Sequence, residues 1–170
     1  MGFQHAAILA PVSFFLGVLF ICFNIDHQVL WGTLTQEVVG DGFHLYRTFF
    51  NAPPAIKALL HSLIFIGLCG FVFKLHKWDD SAMFFDGTSL VCYVFGVVVY
   101  LTVTIPGLRT IVMAASEVED EQVQVEALQV LSAGNIIIIG CLGLVLALQA
   151  GQEYALRMEA RAKAKVEKVE

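Results

Sequence analysis

The sequence predicts an all-α membrane protein: a four-transmembrane-helix bundle with both termini cytosolic. Three observations carry that expectation. Hydrophobic residues make up 58% of the 170 and charged residues only 15%, against roughly 45–50% and 25% in a soluble domain. A soluble chain of this size has too little interior to hide the excess. Four stretches approach the ~20 apolar residues that cross a bilayer, and none of them contains Asp or Glu. This composition excludes a soluble enzyme and a disordered chain. The net charge of −5 argues against nucleic acid, which needs a basic face.

The first span is 6–23, AAILAPVSFFLGVLFICF. Pro11 sits near its start, where a missing N–H costs little. It reads as a retained span rather than a signal peptide. No Lys or Arg precedes it, and the following NIDHQ offers no small-residue cleavage site. Residues 24–54 form a long connection bearing Trp31, Phe43, Tyr46, Phe49 and Phe50. Such aromatics favour the membrane interface. Within it GFHLYRTFF reads as a short interfacial helix that Pro53 and Pro54 end before the second span.

The second span is 55–73, with Lys57 two residues inside, where its stem snorkels to the interface. The third is 87–105. The connection 106–129 carries Glu117, Glu119, Asp120, Glu121 and Glu126. Ser116 with Glu119 has capping-box spacing, and acids suit the positive end of a helix. The last helix is therefore expected to start near Ser116 and to stand some 20 Å outside the membrane at ~1.5 Å per residue. The fourth span is 130–150. The tail 151–170, GQEYALRMEARAKAKVEKVE, continues that helix and then frays. This divides the chain into a membrane domain, 1–150, and a short charged cytosolic tail, 151–170. No ~10-residue alternating segments suggest a β-barrel, and helices are the other structure that satisfies every backbone group in lipid.

Orientation follows from the cations. Lys74, Lys77, Arg157, Arg161, Lys163, Lys165 and Lys168 share a side with the termini, against Arg47, Lys57 and Arg109 on the other. Cys22, Cys69, Cys92 and Cys141 fall one per span, with no pair spaced for zinc or redox chemistry. His5, His27, His44, His61 and His76 are scattered, so neither a metal cluster nor a cofactor is expected. No catalytic signature is present. The lack of a carboxylate within the spans argues against a proton-coupled transporter.

His61 and Asn135 are the conspicuous polar residues inside spans. Each lies a similar distance into its helix, so a hydrogen bond between them is expected, contributing about 0.6–2 kcal/mol. Small residues recur at Ser13 and Gly17, Gly67 and Gly70, and Gly143 and Ala147, where they would let helices approach closely.

Four segments together resemble a known family. They are SFFLGVLF with HQVLWG, FHLYRTFFNAPP, SLVCYVFGVVVYLT and SAGNIIIIGCLGLVLALQAG. In this order the chain is similar to the fungal endoplasmic-reticulum packaging chaperones for amino-acid permeases, the Shr-three type. The resemblance implies a multi-pass protein of the endoplasmic reticulum membrane without enzymatic activity. It implies a chaperone that shields newly inserted amino-acid permeases from aggregation and assists their packaging into COPII vesicles. Its partners would be the permeases, the coat and the lipid bilayer. From position alone, the expected client-binding residues are His61, Asn135, Trp31, Phe43 and Tyr46. The expected coat or adaptor contacts are Arg157, Arg161, Lys163, Lys165 and Lys168. The alternative is a small four-helix membrane enzyme acting on a lipid or quinone-like substrate, which would need a polar cavity around His61.

Overall fold

A computed structural model describes residues 3–76, 80–113 and 121–166. Among these residues every regular element is helical. Six α-helices follow in order: α1 Phe3–Trp31, α2 Gln36–Phe50, α3 Pro54–Leu75, α4 Asp80–Val99, α5 Ile105–Met113 and α6 Glu121–Val166. A π-helical turn, Tyr100–Thr104, joins α4 to α5. Four helical stretches are long and apolar enough to span a membrane: His5–Trp31, Pro54–Leu75, Met83–Met113 and Glu121–Lys165.

α1 runs past the apolar segment because its polar residues are satisfied locally. The amides of Asn24 and Gln28 donate to carbonyls one turn back, at 3.1 Å to Phe20 and 3.0 Å to Asn24. The ring of His27 reaches the Phe23 carbonyl at 2.8 Å. α2 covers the expected interfacial segment and begins earlier. The Thr35 hydroxyl caps it by accepting from the Val38 N–H at 3.3 Å, with Glu37 in its first turn and Arg47 in its last. Those charges match the helix dipole. Pro54 then occupies the first turn of α3, where proline is tolerated.

The π turn was not expected. Its physical cause is Pro106, which brings no N–H and clashes with the carbonyl one turn earlier. The chain absorbs the insult by widening, and the Ile105 N–H bonds to the Tyr100 carbonyl five residues back. The expected capping box at Ser116 lies outside the described residues.

α6 is the spine of the bundle, packed against α1, α4, the π turn and α5. α3 is peripheral. It approaches α1 and α4 but makes no close backbone contact with α2, α5, α6 or the π turn. Its buried residues, Gly67, Gly70, Phe71 and Lys74, all lie in its second half. From Pro54 to Ser62 it is exposed except for half-buried Leu60. The first half of α3 thus leans away from the bundle at the α2 end.

Two of the expected glycines sit at tight crossings. A Cβ on Gly67 would overlap the Tyr93 hydroxyl, and one on Gly70 would lie 3.0 Å from Ile8. Gly134, not singled out in the sequence, does the same work against Val103, at 2.9 Å. The pairs Ser13–Gly17 and Gly143–Ala147 do not mediate packing within the bundle. All four residues are exposed, and Gly17 and Gly143 have open space where a Cβ would go. Helical spacing alone does not say which face of a helix meets a neighbour.

Candidate functional site

The expectation that the spans lack a carboxylate is corrected by the structure. Asp26 and Asp86 both lie within spanning helices and are essentially fully buried, at 0% and 1% exposure. Each organises a hydrogen-bonded network, one at each end of the bundle.

At the α2 end, Asp26 on α1 accepts from three side chains. The Tyr46 hydroxyl of α2 and the Ser132 hydroxyl of α6 (2.8 Å) donate to Oδ1, and the Asn135 amide donates to Oδ2 at 3.0 Å. The same amide donates to the Tyr46 oxygen at 2.9 Å. Three helices are thereby tied to one carboxylate, and among the described residues Tyr46 is the only link from α2 into it. Burial, then the neighbouring Asp26 charge, pushes the Tyr46 hydroxyl well above the usual phenol range. It therefore remains a donor at any physiological pH. Cys22 packs beneath, also buried.

At the opposite end, Lys74 of α3 lies 2.7 Å from Asp86 of α4. The Lys74 ammonium also donates to the side-chain oxygens of Gln149 and Gln152 on α6, at 2.6 and 2.5 Å. The two glutamine amides donate back to Asp86 at 3.0 and 2.8 Å, and Gln149 reaches Ser89 at 3.1 Å. The ammonium uses all three donors, and the network is charge-neutral. That is the condition under which buried ions are tolerated in lipid.

Between the networks lies a cavity of about 290 Å³. Its wall is overwhelmingly hydrocarbon, drawn from all six helices and the π turn. Its α2 end carries Tyr46, Lys57, His61, Tyr100, Thr104 and Asn135.

The structure therefore brings three of the five expected client-binding residues, His61, Asn135 and Tyr46, to one cavity. It does not pair the first two. The Asn135 amide is taken by Asp26 and Tyr46, while the His61 ring bonds the Lys57 carbonyl of its own helix at 2.7 Å and packs against Tyr100. Similar depth does not ensure contact here, because α3 stands off from α6. Trp31 is 67% exposed at the end of α1. Phe43 is half-buried on α2 beneath the Arg47 guanidinium. On the tail, Arg157, Arg161, Lys163 and Lys165 are exposed along α6, where Arg157 pairs with Glu153 and Lys163 with Glu159. Lys168 lies outside the described residues.

The residues that sequence reasoning missed are Asp26, Lys74 and Asp86. Each lies within a few residues of an apolar stretch, and ending the spans at the last apolar residue put all three outside. Their signal was the sign pattern: Lys74 and Asp86 are opposite charges flanking one short connection.

Fold and site together define a class: an all-helical protein with four helices long and apolar enough to span a membrane, neutralised or hydrogen-bonded polar groups inside, and no group of His, Cys, Asp or Glu among the described residues that could hold a metal. The particular family follows from the whole chain. Residues 1–170 match the SHR3 chaperone family, described as ER membrane protein SH3, and the chain belongs to it. No curated protein and no solved structure matches the chain. The protein is thus a chaperone-family member of the endoplasmic reticulum membrane.

Proposed function

We propose that this protein shields newly inserted amino-acid permeases from aggregation and assists their packaging into COPII vesicles, with both of its termini on the cytosolic face. The observation that carries the reading is the family match along all 170 residues. The outer surface supports it. Phe65, Phe73, Val91 and Phe95 project outward from α3 and α4. The uncovered small residues Ser13 and Gly17 on α1, and Gly143 and Ala147 on α6, leave shallow tracks where another helix can approach closely.

A partly assembled permease exposes polar groups to lipid that its own helices later cover, and such groups drive wrong association. Reversible contact with an apolar, small-residue surface suppresses that without trapping the product. Trp31, Phe43 and His61 form the accessible edge of the client surface. Tyr46 and Asn135 act from behind it, fixing α2 and α6. The exposed cations Arg157, Arg161, Lys163 and Lys165, with Lys168, present the coat or adaptor contact.

In cells lacking the protein, tagged amino-acid permeases should stay in the endoplasmic reticulum as aggregates while unrelated secretory cargo leaves normally. Ordinary delivery of permeases to the cell surface in those cells would refute the reading.

A further inference from the structure

We propose that the interhelical cavity is a binding site for a single membrane phospholipid, one acyl chain inserted between α3 and the π turn and the phosphate held at Lys57. The site goes beyond the chaperone reading and does not depend on it.

The argument begins with what leaves the cavity open. α3 makes no close approach to the π turn, α5 or α6, so the gap on its inner side is bridged by no backbone. The space is about 290 Å³. A single turn of a helix ~10–12 Å across with its side chains occupies about 400–600 Å³, more than this space holds, whereas a hydrocarbon chain is far slimmer. The inner part is lined by Phe15, Leu19, Ile64, Val97, Ile138 and Leu142. The one hydroxyl there, on Tyr93, is already donated to the Ile64 carbonyl at 3.3 Å.

The opposite end is polar, and several of its groups are uncommitted. Thr104 is only 8% exposed and lines the cavity, yet its hydroxyl has no hydrogen-bond partner. Among the described residues the Tyr100 hydroxyl also has none; its ring contacts His61. A buried polar group left unpaired costs on the order of 1–3 kcal/mol, which a ligand supplying oxygens at this depth would offset. The Lys57 ammonium lies 5.2 Å from the Phe50 ring centre at the α2 end, with no carboxylate partner among the described residues.

The order along the cavity is therefore cation, then unpaired hydroxyls, then hydrocarbon. That is the order of complementary groups in a phospholipid: phosphate, ester, acyl chain. A client side chain would not require such a gradient.

The test uses the full chain, purified in detergent, exchanged free of native lipid and titrated with dioleoyl phosphatidylcholine, dioleoyl phosphatidylglycerol, dioleoylglycerol or cholesterol. Native mass spectrometry counts bound molecules. Both phospholipids should bind at one per chain, and dioleoylglycerol, which lacks the phosphate, about tenfold or more weakly, the factor expected from one lost charge-assisted bond. Lys57→Glu, at an exposed position, should erase the preference for phospholipid over dioleoylglycerol. Val97→Trp, which fills the hydrocarbon part, should lower binding of every lipid. Thr104→Val provides a milder check, with an intermediate loss. The proposal is overturned if dioleoylglycerol or cholesterol binds as well as the phospholipids. It is equally overturned if Lys57→Glu and Val97→Trp retain wild-type binding, or if a photoreactive residue at Ile64 crosslinks in cell membranes to a permease rather than to lipid.

Discussion

Replacing Lys74 by Met tests whether the ion network at the tail end holds α3 on the bundle. Lys74 is 7% exposed, and its ammonium serves one carboxylate and two amide oxygens at 2.5–2.7 Å. In Lys74→Met the Asp86 carboxylate loses its counter-ion and keeps the two glutamine amides. The side-chain oxygens of Gln149 and Gln152 lose their donor. Breaking a buried pair from one side costs about 3–5 kcal/mol, a large share of a typical total stability of about 5–15 kcal/mol. Adding Asp86→Asn removes the stranded charge. The new amide accepts where the carboxylate did and donates to one orphaned oxygen, so the double variant should lose only about 1–3 kcal/mol. Adding Asp86→Asn should therefore recover about 2 kcal/mol of the loss caused by Lys74→Met alone. Unfolding of the full chain in mixed micelles of rising SDS content, followed by the reactivity of buried Cys22, reads these differences. A single variant within about 0.5 kcal/mol of wild type, or a double variant no more stable than the single, would refute the reasoning.

Two further outcomes follow from the packing. Gly67→Ala places a methyl group on the Tyr93 hydroxyl and should cost about 1–3 kcal/mol in the same titration, while Gly17→Ala and Gly143→Ala, open to the outside, should change stability by under about 0.5 kcal/mol. Tyr46→Phe removes the hydroxyl that ties α2 to Asp26 and should raise hydrogen exchange along Gln36–Phe50 by roughly one to two orders of magnitude, equivalent to about 1–3 kcal/mol. Its folded-state pKa is raised by burial, so the stabilisation is constant below the free phenol value of about 10 and declines only above it. Wild-type α2 protection should hold steady through neutral pH and fall on the alkaline side, and Tyr46→Phe should lack that fall.

Much of the architecture could be read in the chain because lipid imposes it. A segment must be long and apolar to cross, and its backbone must close its own hydrogen bonds, so the number and order of spans are local properties. The amphipathic segment around Tyr46 was legible for the same reason, through its aromatics and the two prolines behind it. Gly67 and Gly70 were recognisable as close-approach residues, but Gly17 and Gly143 show the same pattern on faces that meet nothing in the bundle.

What only the tertiary structure decided is which groups meet. Asp26 and Asp86 stand at the margins of apolar runs, and no local rule says whether such a carboxylate turns to water or inward. They turn inward because Ser132 and Asn135 on α6, Tyr46 on α2, and Lys74 on α3 arrive from more than ten residues away to satisfy them. His61 and Asn135 share a depth readable from sequence, yet α3 makes no close backbone approach to α6, so they find separate partners and the cavity opens between. Burial of hydrocarbon is counted residue by residue and survives in the sequence. Hydrogen bonds and cavities depend on the angles between helices, which are set only when all of them have packed.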